Sequence, residues 1–206
     1  MPRPGPPPAP ADDLLPALAQ AWARLGPDAS QRALAEAAGT TISVLRRRFG
    51  DRDGLIDAIA AQIAAGSSPY RAIAATPQSE QVGPAVRAHL EIVLLAWRQH
   101  GVDRVILTGL AEGLRSPRRG RAFVNHTLEP TLQTTEQLLD TLIAAGKMAP
   151  VDTRAAALAL ASPLILALIH QEGLDGANCR PLDVHALLNE HTNRWLTAWA
   201  PGAESI

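Results

Sequence analysis

From Asp12 to Ala200 alanine and leucine return every three or four residues, and no run of alternating β-branched residues interrupts them. That period belongs to helices with one apolar face and leaves no segment that needs to be a strand. The expected fold is therefore all-α. Glycine and proline punctuate the pattern at Gly26-Pro27, Gly39, Gly50, Gly66-Ser67-Ser68-Pro69 and Thr76-Pro77-Gln78-Ser79. The chain has 206 residues, 47% of them hydrophobic and 19% charged, so it can bury a sizeable core and disorder is expected only near the ends.

The ends and the apolar stretches bound the setting. Residues 1–11, MPRPGPPPAPA, favour an extended arm and lack the apolar centre of a secretory signal, so no export is expected. Cys179 is the single cysteine and cannot form an internal disulfide, which fits a reducing, cytoplasmic environment. No Cys/His spacing suits zinc, and neither a metal nor another cofactor is expected. The most apolar stretch, Ala155 to Ile169, is shorter than the roughly 20 residues a membrane span requires and contains Ser162-Pro163. It reads as a buried helix, with no membrane partner.

The first four helices carry the most specific signals. Asp12-Asp13 suit the positive end of a helix dipole, and Leu14, Leu18, Ala21, Trp22 and Leu25 give that helix an apolar stripe. Asp28 or Ser30 can cap a second, short helix through Glu36, with Leu34 and Ala35 facing inward. Gly39 is placed to take the left-handed conformation that ends it. Thr41 then offers a side-chain oxygen to the free N–H groups of a helix over Ile42 to Phe49. At about 100° per residue Leu45 and Phe49 share a face with Ile42 beside them, and these three are expected to pack inward. Ser43 and Arg47 point the opposite way, Val44 and Arg46 lie on the flanks, and Arg48 is nearer the edge. Gly50 breaks the helix, and Asp51 or Asp53 caps a fourth that runs through Leu55, Ile56, Ile59 and Ile63 to Ala65.

This order is what a helix-turn-helix needs to lay its second helix in the DNA major groove. An arginine triplet standing alone is most simply a solvated face. Arg46, Arg47 and Arg48 follow a capped turn and are flanked by the core anchors Leu45 and Phe49, so they are expected to meet DNA. Arginine serves both tasks there, bonding a guanine edge bidentately or clamping a phosphate. Arg52, at the start of the fourth helix, is expected close to the DNA backbone. With a formal net charge of −1, any affinity for nucleic acid must come from such a local patch.

Glu36-Ala37-Ala38-Gly39, Thr41, Leu45, Phe49 and Asp51-Arg52-Asp53-Gly54-Leu55 together resemble the N-terminal domain of TetR-type transcriptional regulators. The resemblance joins turn, recognition helix and fourth helix without a gap. It implies DNA contact by Thr41, Ile42, Ser43, Val44, Arg46, Arg47, Arg48 and Arg52, although the helical wheel buries Ile42. The family usually has an aromatic where Arg46 stands and often a histidine at Arg48, and the segment Gly26 to Ser30 is shorter than usual. Leu138 to Ile169, with Ala144-Ala145-Gly146-Lys147, Asp152 and an alanine-rich helix, is more weakly similar to the C-terminal half of such regulators. That resemblance implies an all-helical homodimer that binds a small molecule and then loosens its hold on DNA.

The expected organisation is a flexible arm (1–11), a helix-turn-helix DNA-binding domain (12–65) and a helical effector-binding and dimerisation domain (66–206). In the last, helices are expected near Val82 to His100, Val102 to Leu114, Ala122 to Ala145, Thr153 to Gln171 and Asp183 to Ala200. Val184, Leu188, Trp195 and Trp199 form one stripe of the final helix, too wide to be left in water; it folds into the chain's own core or, as favoured here, pairs with a twofold mate as a dimer interface. Trp97, His100, Arg104, Asn125, His126 and His170 are polar or aromatic residues among apolar neighbours and are the candidates to line a ligand pocket. Arg118, Arg119 and Arg121, after Ser116-Pro117, read as a solvated linker.

No HExxH, GxSxG or phosphate-loop motif and no carboxylate pairing at ligand spacing is present, so an enzyme is not expected. The expected function is a dimeric repressor on double-stranded DNA with a palindromic operator, released by a small-molecule effector. The alternative is a helical protein-interaction module without DNA binding.

Overall fold

The structure, a computed structural model, describes residues 14–99 and 102–201. The Pro-rich arm, the Asp12-Asp13 helix opening and His100 lie outside the described residues. In chain order the helices are α1 (Leu14–Leu25), α2 (Gln31–Ala37), α3 (Ile42–Phe49), α4 (Arg52–Gly66), α5 (Ser68–Ala75), α6 (Val82–Gln99), α7 (Val102–Gly113), α8 (Pro117–Phe123), α9 (Glu129–Ala144), α10 (Thr153–Leu168), α11 (Gly176–Cys179) and α12 (Val184–Trp199). Single π-helical turns, Val124–Leu128 and Ile169–Gly173, lead into α9 and out of α10. Among the described residues there is no strand, as the periodicity requires. The helix expected over Ala122 to Ala145 starts earlier, with Pro117 in the first turn of α8, and its ladder widens at 124–128. Helices α5 and α11 were not expected; α5 falls between the Gly66-Ser67-Ser68-Pro69 and Thr76-Pro77 breaks, and α11 has four residues.

The chain forms two compact units. The first takes the residues up to Ser67 and also Arg104–Leu128; the second takes Ser68–Asp103 and Glu129–Ile206. The composition of 104–128 gives no hint of this division, and the sequence reading places that segment in the second domain.

In the first unit Leu14, Leu18, Ala21 and Trp22 of α1 meet Leu34 and Ala35 of α2, Leu45 of α3, and Leu55, Ile56 and Ile59 of α4 in one buried cluster. Burying each large aliphatic side chain contributes about 1.5–3 kcal/mol relative to leaving it in water. Segment 104–128 packs against α4 through α8 and the turn after it. Gly109 makes the close approach of α7 to α8 possible, since a Cβ there would lie 2.6 Å from the Phe123 ring.

In the second unit α10 packs on α9 and α12, α12 also on α6, and α5 on α9. The apolar side of α10, including Leu160, Leu164 and Leu168, is fully or almost fully buried. Three helices are joined at His89, whose Nδ1 lies 2.9 Å from the Ala74 carbonyl on α5 and whose Nε2 lies 3.0 Å from the Thr135 hydroxyl on α9. A neutral ring serves both contacts, Nδ1–H donating and Nε2 accepting. Burial accordingly pushes the His89 pKa below its ordinary value, with the Ala74 carbonyl opposing.

The apolar stripe of α12 corrects an expectation. Val184, Leu188 and Trp195 are buried in the chain's own core, and Trp195 Nε1 donates to the Ala156 carbonyl at 3.0 Å. Trp199 is half-buried. These residues therefore do not form the expected dimer surface, because α10 and α6 already supply the apolar neighbours they need.

Residues Thr153–Gly173 are long and apolar enough to cross a membrane by length and composition, with a mean hydropathy of 1.6. Asp152 caps α10 by accepting from Ala155 N–H, and the helix packs on α9 and α12. Leu158 and Leu166 on its other side are exposed.

Candidate nucleic-acid interface

Each boundary of the α2–α3–α4 segment has a local cause. Ser30 Oγ accepts from Ala33 N–H at 3.1 Å and so resolves the choice between Asp28 and Ser30 as the cap of α2. Gly39, at φ +67°, reverses the chain in a conformation that side-chain-bearing residues rarely take. Thr41 Oγ1 accepts from Val44 N–H at 3.3 Å and starts α3 at Ile42. Asp51 Oδ1 accepts from Gly54 N–H at 2.8 Å and starts α4. That bond, aided by the Arg118 guanidinium, holds the Asp51 carboxyl below its ordinary pKa.

Helix α3 is anchored on one side and open on the other. Leu45 is fully buried, and Val44 and Phe49 are half-buried against the core cluster. Thr41, Ser43, Arg46, Arg47 and Arg48 are exposed. The Arg48 guanidinium lies 5.7 Å from the centroid of the Phe49 ring. The two flanking positions Ile42 and Val44 are both half-buried but differ in whether they pack on the cluster. Val44, which the resemblance implies on DNA, packs inward with Phe49, whereas Ile42, which the wheel buries, is only half-buried and is not among the side chains packed on that cluster. In an eight-residue helix the neighbouring helices, not the angle alone, decide which flank is covered.

Arg52 is the larger correction. Its guanidinium donates to the Ala29 carbonyl at 2.5 Å and to the Pro27 carbonyl at 3.0 Å, and pairs with the carboxylate of Glu112. Three of its five N–H donors are thus taken up within the protein. The arginines read as a solvated linker are also engaged. Arg119 pairs with Glu112 and its Nε lies 2.9 Å from Asp53 Oδ1, while Arg118 reaches Asp51 Oδ2 at 2.9 Å. Arg52–Glu112 and Arg118–Asp51 join positions 60 and 67 residues apart, and neither spacing nor periodicity signals them.

The expected ligand-pocket residues fall in different units. Arg104 and Asn125 are exposed in the first unit, where half-buried His126 stands 3.3 Å from Asp57. In the second unit Trp97 is buried and its Nε1 has no hydrogen-bond partner among the described residues, whereas His170 is exposed and contacts the Gln171 side chain at 2.7 Å. A small cavity in the first unit, about 10 Å³, lies among Trp22, Ile56, Val105, Arg119 and Phe123. It has room for about one water.

Residues 79–175 match the model of the C-terminal domain of AefR-like transcriptional repressors. No curated protein matches the chain in sequence. Among solved structures, a TetR-family transcriptional regulator of Mesorhizobium loti aligns with a TM-score of 0.73 at 16% identity, over 92% of this chain and 96% of that one. SmeT, the repressor of the multidrug efflux pump SmeDEF of Stenotrophomonas maltophilia, aligns with a TM-score of 0.60 at 16% identity, over 94% and 92%. The fatty acid degradation regulator FadR of Bacillus halodurans aligns with a TM-score of 0.60 at 18% identity, over 90% and 93%. At such identities the structural likeness is one of fold.

Proposed function

We propose, from its fold and from the match of its C-terminal part to a repressor domain, that this chain is a TetR-type transcriptional regulator: a dimeric repressor that binds a palindromic operator in double-stranded DNA and is released by a small-molecule effector. One observation carries the DNA part: α3 buries Leu45 and leaves Ser43, Arg46 and Arg47 in solvent on one short helix. Such a surface offers hydroxyl and guanidinium groups to base edges, with Thr41, Arg48 and half-exposed Ile42 beside them. Val44 and Arg52 are left out of this set, since their side chains are used inside the unit.

Repression and effector release rest on the nature of the relatives. The matching domain is that of repressors, and SmeT is described as one. For release, the effector must bind the DNA-incompetent arrangement more tightly, since equal affinity for both shifts nothing. Trp97, with a buried N–H lacking a hydrogen-bond partner among the described residues, is the residue in the second unit best suited to meet a polar ligand atom.

A reader of one half-site needs a twofold mate to gain affinity over non-specific DNA. With the α12 stripe consumed internally, the surface left for a second copy is the outer side of α10. Leu158, Ser162 and Leu166 are exposed there, with Ile165 and Ile169 half-buried. A protein mate accounts for this apolar side of Thr153–Gly173 better than lipid, because the opposite side is committed to the core. Regulation of an operator also places the protein in the cytoplasm.

Selection of bound duplexes from random sequence tests the reading. An enriched palindrome is expected, and Arg47→Ala should weaken binding to it by about 1–3 kcal/mol and relax base preference at one position per half-site. Absence of any enriched sequence would overturn the proposal.

A further inference from the structure

The charged cluster at the junction of α7 and α8 is not explained by core packing. Glu112 is fully buried yet ionisable, and it faces two guanidiniums, Arg52 and Arg119. Arg119 continues to Asp53 at 2.9 Å, and Ser116 Oγ donates to Asp53 Oδ2 at 3.0 Å. Arg115 adds bonds to the Pro27 carbonyl at 2.9 Å and to Asp28 at 2.8 Å. Two arginines and two acids make the inner cluster neutral, which meets the condition for keeping charge out of water. Buried ion pairs add little stability over apolar residues of similar volume, while removing one partner is costly, so such a cluster fixes an arrangement more than it strengthens a fold.

The arrangement it fixes is that of the reading helix. Arg52 comes directly after Gly50 and Asp51, where α3 ends and α4 is capped. The same guanidinium reaches Pro27 and Ala29, just ahead of Ser30, where α2 is capped. Helix α3 hangs between those two points, and Arg52 joins them. Glu112 in turn holds Arg52, and it sits on a hairpin made stiff by the approach of Gly113 to Gly120, where a Cβ would lie 3.2 Å from the facing Cα.

We propose that Glu112 is a positioning residue for DNA reading: its buried carboxylate aims Arg52 at the α1–α2 loop and so sets the angle at which α3 is presented, while neither residue touches DNA. This rests on the operator reading above. It differs from a phosphate role for Arg52 in what salt does to binding. A lost phosphate contact lowers the slope of log affinity against log salt by about one, whereas a tilted reading helix weakens specific binding and leaves the count of phosphate contacts as it was.

The test uses the full chain and a duplex enriched by selection, titrated over a salt series at a temperature where circular dichroism shows every variant folded. Glu112→Gln leaves two guanidiniums around a neutral amide and is expected to weaken specific binding roughly tenfold, comparable to one misplaced base contact, with the salt slope unchanged. Arg52→Gln should do the same, and it decides the matter alone if Glu112→Gln fails to fold. Wild-type affinity in either folded variant, or a slope shallower by about one in Arg52→Gln, overturns the proposal. A wild-type protein that prefers no sequence would sink the operator reading and this proposal with it. Preference in the wild type with no loss in the folded variants would sink this proposal alone.

Discussion

In the first unit the groups that aim the reading helix are polar: Ser30, Thr41 and Asp51 start three successive helices, and Arg52, Glu112, Arg119 and Asp53 tie them to α7 and α8. In the second unit Asp152 and Asp183 also cap helices and His89 joins three of them, but the described residues there hold no buried ion-pair cluster, and cohesion comes from apolar surface, with Leu160, Leu164 and Leu168 of α10 buried between α9 and α12. Charged groups there, such as the Arg154–Glu129 pair, stay on the outside. The contrast teaches that direction and cohesion have different sources. Hydrogen bonds and ion pairs have preferred geometry and can set an angle, whereas apolar burial is non-directional and rewards any close packing.

The sharpest way to break the comparison is to attack the one apolar anchor of the aimed helix. Leu45→Ala should cost about 2–5 kcal/mol in chemical denaturation, as much as a similar truncation in the second unit, because α3 has little else buried. A loss under about 1 kcal/mol would mean that the polar frame alone holds the helix. Thr41→Ala removes the cap of α3 and is expected to cost about 1 kcal/mol of stability, while weakening operator binding more than that loss explains.

The smallest effects are slopes against pH, and they separate the units. His89 has a lowered pKa, so the folded second unit resists a proton that the unfolded chain accepts. Its contribution is complete above its ordinary value of 6.5 and is lost as pH falls below that toward the folded value. Asp51 also has a lowered pKa but is an acid, so its contribution to the first unit is present above 3.8 and lost as pH falls through its folded value. Melting curves should therefore show the difference between wild type and His89→Phe changing in mildly acidic buffer, and that between wild type and Asp51→Asn changing only in strong acid. A common window for both would contradict the separate assignments.

What was legible in the sequence follows the same division. The bounds of α3, its cap at Thr41 and the turn at Gly39 could be read because each depends on residues within about four positions of one another. Leu45 could be read as an anchor from its place in the helical period. The difference between Ile42 and Val44 could not, since both lie near the edge of the buried arc and the decision belongs to neighbouring helices. The α12 stripe was visible as apolar, but periodicity names a face without naming what covers it, and the cover is α10 and α6. The role of Arg52 was hidden for a plainer reason: Glu112 is 60 residues away in sequence, and an arginine reads alike whether it faces phosphate or carboxylate.

Residues 104–128 leave and re-enter the second unit at both ends while completing the first. A shortened chain that stopped at Ser67 would keep the turn and the reading helix but lose the carboxylate that receives Arg52. If the proposed operator reading holds, grafting its specificity onto a relative would thus mean transplanting two stretches of polypeptide, not one. Under the proposal for Glu112, the discontinuous stretch also gives mutations near that residue a route to altered operator choice without any change on the exposed side of α3.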